Sequence, residues 1–207
     1  VAGIPDIQPS VPTPSPSVLL VIGTSTGGPK ALTQLFLELP LLPDTACCIV
    51  QHMPARFTAN LARRLNDISV WGVREATNGE RIESGNVYIA PGGSQMTVSS
   101  ADASALSVAS TGAINGHQPS VDALCFSVAA TWKGDIIAVL MTGMGKDGAL
   151  GLKEIRMRGG HTIVESEASC VVYGMPRAAV QIDAADEIVP LSEIGRAIQK
   201  VSEKLRA

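Results

Sequence analysis

An α/β fold is predicted for this chain, doubly wound, with a mostly parallel sheet flanked by helices on both faces and an antiparallel hairpin at one edge. Three observations predict it. Short β-branched runs alternate with segments of helical period, no internal repeat or coiled-coil heptad competes with that alternation, and a single stretch breaks it with two polar-flanked strands in succession. Strands are expected at Val18 to Ile22, Cys47 to Val50, Val70 to Val73, Val87 to Ala90, Ile136 to Met141, Thr162 to Val164 and Glu187 to Val189. Helices are expected at Ala31 to Leu39, Phe57 to Asn66, Ser120 to Thr131, Ala149 to Arg158, Pro176 to Gln181 and Ser192 to Leu205. Met96-Thr97-Val98 and Leu106-Ser107-Val108, joined through a polar turn at Ala101 to Ala103, give the hairpin.

Composition narrows the function classes. At 207 residues and 45% apolar content the chain suits one large globular domain with an ample core. A net charge of -3, no basic stripe and only 3% aromatic residues argue against a nucleic-acid partner. Pro40 and Pro43 interrupt the only long apolar candidate, so membrane insertion is not expected. Cys47, Cys48, Cys125 and Cys170 show no C-x-x-C spacing, which fits unpaired thiols and a reduced, cytoplasmic compartment. Prolines 5, 9, 12, 14 and 16 mark residues 1–17 as an extended linker, and residues 18–207 as the folded domain. The start on Val1 with no signal-peptide pattern leads to the expectation of a piece of a longer protein.

The chemistry is carried by the loops that follow the strands. Gly23-Thr24-Ser25-Thr26-Gly27-Gly28 lies between the first strand and first helix, so Ser25 projects from the carboxyl edge of the sheet beside free amides of a helix start. His52 follows the second strand in Gln51-His52-Met53-Pro54, and Asp147 follows the Ile136 to Met141 strand in Gly143-Met144-Gly145-Lys146-Asp147-Gly148. A hydroxyl, an imidazole and a carboxylate on one rim are the inventory of a serine hydrolase, in which the imidazole moves the proton and the carboxylate fixes its tautomer.

Blander roles compete at each position. Ser25 could be a helix N-cap, Asp147 could cap the Ala149 helix, and His52 could be a hydrogen-bonded structural residue. His117 and His161 are weaker base candidates, and the three histidines lack a zinc-ligand spacing. Gly23 to Lys30 fails as a P-loop because Pro29 stands where lysine is required. Gly143 to Gly148 satisfies G-x-G-x-x-G, with Glu165 and Glu167 about twenty residues on, so dinucleotide binding is a rival. Asp147 opposes it by placing a carboxylate where pyrophosphate would sit. A non-catalytic docking module that uses the same rim is a third class.

With these residues in view, the chain resembles the chemotaxis protein-glutamate methylesterases, called CheB, from Val18 to about Ile198. The motifs are Gly23 to Pro29, Gln51 to Pro54, Tyr88 to Gly92, Gly116 to Asp122, Leu140 to Gly148 and Glu167 to Pro176. Thr24 and Ser166 depart from the family's usual wording. The resemblance implies Ser25 as nucleophile, His52 as general base and acid and Asp147 as orienting carboxylate, with Thr26, Gly27, Gly28 and Met144 around the oxyanion and substrate, and no cofactor or metal. It implies hydrolysis of glutamate methyl esters, and deamidation of glutamines, on the cytoplasmic helices of methyl-accepting chemoreceptors in two-component chemotaxis signalling. It also implies an amino-terminal phosphoacceptor receiver domain, served by a histidine kinase and absent from this chain, so that residues 1–17 would be the remnant of the connection; a different module in that place is the equally literal alternative.

Overall fold

The computed structural model describes residues 15–206, and the linker expectation falls mostly on residues outside that span. Among the described residues, nine strands and six helices follow the order β1(Val18–Thr24), α1(Gly28–Glu38), β2(Thr45–Gln51), α2(Ala55–Ile68), β3(Gly72–Glu75), β4(Asn86–Ile89), β5(Gln95–Val98), β6(Leu106–Ala109), α3(Val121–Thr131), β7(Asp135–Leu140), α4(Ala149–Met157), β8(His161–Glu165), α5(Met175–Gln181), β9(Glu187–Val189) and α6(Leu191–Leu205).

Seven strands form one sheet in the order β3-β4-β2-β1-β7-β8-β9, and every pairing in it is parallel. Every residue of β1 and β2 is buried, which explains their uninterrupted apolar runs: a central parallel strand has no solvent face to mark with alternation. Alternate β1 side chains feed two cores. Val18, Leu20 and Ile22 pack with α1, α2 and α6, whereas Leu19 and Val21 pack with α3, α4, α5 and the hairpin. Burial pushes the Cys48 thiol up to about 12 and that of Cys47 well above its ordinary range, so these cysteines serve as small apolar fillers of β2.

The hairpin β5-β6 is a two-stranded sheet of its own. It lies against the 79–82 segment between β3 and β4, with Ile82 N–H donating to Ser104 O and Leu106 N–H to Glu80 O, and adds no strand to the main sheet. The third strand runs two residues later than Val70 to Val73. Val70 is exposed and Trp71 is buried in the core with its indole N–H on Pro40 O, while Arg74 and Glu75 extend the strand because β3 is an edge and tolerates polar residues. Helix α2 begins at Ala55, directly after Pro54, earlier than the expected Phe57.

Three strands lie on each side of β1, beginning with β2 on one side and β7 on the other, so the chain's direction of build reverses at β1. The crevice beyond the carboxyl ends of strands at such a reversal is the default ligand position in an open α/β sheet. Ser25, His52 and Asp147 follow β1, β2 and β7, the three central strands. Leu20, fully buried at the centre of β1, measures how far this frame depends on packing. Leu20→Ala should lower stability by about 2–5 kcal/mol in urea unfolding.

Candidate functional site

The loop after β7 places Asp147 at the amino-terminus of α3. Its Oδ2 accepts from the Val121 amide at 2.7 Å, and its Oδ1 from the Asp122 amide at 3.3 Å and the Ser120 hydroxyl at 2.8 Å. These amides belong to the first turn of α3, where N–H groups have no intrahelical acceptor. Ser120 in turn caps the same helix by accepting from the Ala123 amide. Asp147 therefore caps α3 and not α4, which corrects the alternative expectation of a cap on the Ala149 helix. The start of α4 is held reciprocally by Asp122, whose Oδ1 accepts from the Gly151 amide at 2.7 Å.

Burial works to raise the Asp147 pKa, but hydrogen bonds from His52, the Val121 amide and Ser120, joined by the charge of His52 when its ring is protonated, more than offset it and hold the carboxyl below its ordinary value. His52 Nε2 lies 2.8 Å from Asp147 Oδ2, with both side chains almost wholly enclosed. An ionised carboxylate only accepts, so Nε2 carries the hydrogen and Nδ1 is left with its lone pair. Nδ1 is buried without a hydrogen-bond partner. A bare, buried acceptor on a ring oriented by a carboxylate has the chemistry needed to accept a proton from a nearby donor.

Ser25 occupies the neighbouring loop, and its backbone is tied to that of His52. The Gln51 side chain donates to Ser25 O at 2.9 Å and to His52 O at 3.0 Å, and accepts from Thr24 Oγ1 at 2.6 Å; the His52 amide donates to Thr24 O. On the other side the Ser25 amide donates to Thr142 O at 3.0 Å, joining the β1 and β7 loops. Gly143 makes that approach feasible: a Cβ there would lie 2.7 Å from Ser25 Cβ and collide with the Met175 sulfur. The N-cap of α1 is Gly27, without a side-chain cap bond, so Ser25 is not spent as a cap. Among the described residues its hydroxyl makes no hydrogen bond, and thus none to His52: the structure joins His52 to Asp147 directly and Ser25 to His52 through the backbone.

Amides without a protein acceptor lie in the Ser25 turn and in the loop after β7. The N–H groups of Thr26, Gly27 and Met144 have no protein acceptor among the described residues, whereas the Gly28 amide already donates to Ser25 O. Gly28 instead permits close contact, since a Cβ there would strike Gln51 Oε1 and Thr24 Oγ1. The Met144 and Val171 side chains are exposed, and Val171 lies against Gly27. His117 stacks on His52, with ring centroids 3.9 Å apart and planes 9° from parallel. His161, at the amino end of β8, bonds Glu187 on the opposite edge of the sheet.

Two residues in this site carry no role in the sequence reading. Gln51 ends an otherwise apolar strand, a polar residue where burial on both faces favours none, and Ser120 directly precedes a helix in the N-cap position. Those were the available signals. The rival glycine loop is committed elsewhere: the Gly151 amide at the start of α4 is occupied by Asp122, and the Glu165 side chain holds the Thr142 amide and the Ser169 hydroxyl. Among the described residues no group of three or more histidines, cysteines or acids gathers at a spacing for a metal ion.

Comparison with known proteins places this geometry in a family. The family model described as CheB methylesterase matches residues 20–198. The chain belongs to the CheB methylesterase family. A protein-glutamate methylesterase/protein-glutamine glutaminase of Bordetella avium is 46% identical over 190 residues, covering 90% of this chain and 54% of the relative. One of the same name from Archaeoglobus fulgidus is 43% identical over 187 residues, again with 90% of this chain and 54% of the relative covered. The crystal structure of the Thermotoga maritima CheB methylesterase catalytic domain superposes with a TM-score of 0.84 at 37% identity, covering 88% of this chain and 97% of that one. This CheB-family chain thus spans about half the length of the curated relatives it matches and nearly all of the solved catalytic domain.

In this CheB-family domain the depressed Asp147 pKa ties stability to pH. A carboxyl whose folded pKa lies below its unfolded value stabilises the fold above the unfolded value, about 3.9, and loses that contribution as pH falls through the folded one. Ser120→Ala removes one of the donors. It should cost about 1–2 kcal/mol at pH 7 by denaturant unfolding, and its deficit relative to wild type should narrow, as pH falls below 4, to the part due to the lost α3 cap.

Proposed function

We propose that this chain is the catalytic domain of a protein-glutamate methylesterase that also deamidates glutamine, acting by serine acyl transfer. The observation that carries the reading is the His52–Asp147 pair, which leaves a buried, unpartnered Nδ1 on a residue whose loop is hydrogen-bonded to that of Ser25. Rotation of the Ser25 hydroxyl to Nδ1 as substrate binds would satisfy that nitrogen and make the oxygen nucleophilic; catalytic hydrogen bonds often close only in the substrate complex.

The steps balance without a further reagent. Ser25 Oγ attacks the ester carbonyl carbon while its proton passes to His52 Nδ1, giving a tetrahedral oxyanion and an imidazolium paired with Asp147. The unpaired amides of Thr26, Gly27 and Met144 receive the oxyanion, and each well-placed donor contributes about 3 kcal/mol to the transition state. The C–O bond to methoxide breaks with return of the His52 proton, so methanol departs and the glutamyl group remains on Ser25. Water, deprotonated by His52, then releases the free carboxylate and restores the serine. With a glutamine side chain the leaving group is ammonia, and all other steps are the same.

Substrate and setting follow the relatives. The side chain to be hydrolysed would come from a methylated chemoreceptor helix lying across the rim, where exposed Met144 and Val171 flank the Ser25 turn with apolar surface. A receiver domain fed by a histidine kinase would account for the half of each relative that this chain does not span. A cytoplasmic setting accords with that assignment; no helix among the described residues is long and apolar enough to cross a membrane.

Ser25→Ala should abolish methanol release from methylated receptor membranes while the far-ultraviolet circular dichroism is retained; turnover that persists would remove Ser25 from the mechanism. Gly143→Ala tests the close approach of the two loops. Its methyl must displace the Ser25 turn, and a displacement near 1 Å lowers kcat on the order of 100-fold. Wild-type kcat in that variant, measured by the same release assay, would show that the turn tolerates the shift.

A further inference from the structure

The loop between β6 and α3 serves both members of the His52–Asp147 pair, and only part of it is used by the mechanism above. Its carboxyl end supplies the Ser120 hydroxyl and the Val121 and Asp122 amides to Asp147. Its tip carries His117, whose ring lies face to face on His52. The tip is held firmly: Ile114 and His117 exchange backbone hydrogen bonds at 3.0 and 2.9 Å, and the buried Gln95 side chain donates to His117 O at 2.9 Å while accepting from the Ser120 amide at 2.8 Å. One glutamine thus fixes the spacing between the stacked ring and the helix start that binds Asp147.

His52 needs such a contact. A single hydrogen bond at Nε2 fixes one atom of the ring, and Nδ1 has no partner to fix the plane. We propose that His117 is a positioning residue, whose ring face sets the plane of the His52 imidazole so that Nε2 stays on Asp147 while Nδ1 stays open toward the Ser25 loop. The inference rests on the serine-hydrolase reading and adds a residue to it. His117 acts through its face and not through a proton. Burial lowers its pKa, the charge on His52 lowers it further, and Asp147 opposes both, which favours a neutral ring. A neutral aromatic face also suits the imidazolium formed when His52 takes the serine proton.

The test compares His117→Phe, which keeps a ring and loses both nitrogens, with His117→Asn, which keeps polarity and loses the ring. Two readouts are needed: kcat and KM for methanol release, and the rate of Ser25 labelling by a fluorophosphonate, which reports activation of the serine without receptor. Stacked aromatic contacts of this kind correspond to about a two- to tenfold effect. His117→Asn should lower kcat and the labelling rate by that factor with KM unchanged, and His117→Phe should restore both. Equal loss in the two variants would make His117 a proton carrier or a polar contact and overturn the proposal, as would wild-type rates in His117→Asn. Rate losses that follow a fall in melting temperature in both variants would reduce His117 to a structural residue and overturn it too. If wild-type protein itself fails to label at Ser25, the serine reading falls first; if it labels and His117→Asn labels equally, only the role of His117 falls.

Discussion

The carboxylate of Asp147 at the start of α3 is the interaction on which the site depends. A buried carboxylate is costly unless its oxygens are satisfied, and here two helix-start amides, a serine hydroxyl and an imidazole N–H satisfy them. The same set of donors keeps the group ionised, which decides the tautomer of His52 and leaves Nδ1 as the basic nitrogen. In the proposed mechanism the direction of proton movement therefore follows from how a helix begins. Asp122 answers from the first turn of α3 by holding the start of α4, so the two helices and the loop before α4 are locked by a pair of exchanged carboxylates.

Ser25 is placed by a different device. Backbone bonds to Thr142 and side-chain bonds from Gln51 hold its loop against those of β7 and β2, and Gly28 and Gly143 leave the room for that contact. The hydroxyl is the least constrained member of the set, whereas the imidazole and carboxylate are enclosed. Such a division suits the proposed acyl transfer, in which the serine would form and then break a bond while the other two groups stay in register through both half-reactions.

The sheet and the placement of Ser25, His52 and Asp147 in the loops at its carboxyl edge were legible in the sequence because they depend on local rules. Continuous apolar runs separated by helical segments require a parallel sheet covered on both faces, and residues after such strands must reach the carboxyl edge. What was not legible depends on partners distant in the chain. The shift of β3 to Gly72–Glu75 follows from an edge position that makes Arg74 and Glu75 acceptable, and edge position is a property of the whole sheet. The choice of α3 over α4 as the helix capped by Asp147 needs the crossing of two elements whose contacting residues are 26 apart. His117 was visible only as a histidine in a glycine-bounded loop, since no spacing announces a stack on a ring more than sixty residues away.

The most direct measurement of the central claim is the tautomer of His52, read from the imidazole nitrogen shifts in a long-range proton–nitrogen correlation spectrum with the ring in its neutral form. The account predicts a hydrogen on Nε2 and a bare Nδ1, the Nε2 hydrogen losing its strong hydrogen-bond shift in Asp147→Ala. A hydrogen on Nδ1 in the wild-type protein would contradict it.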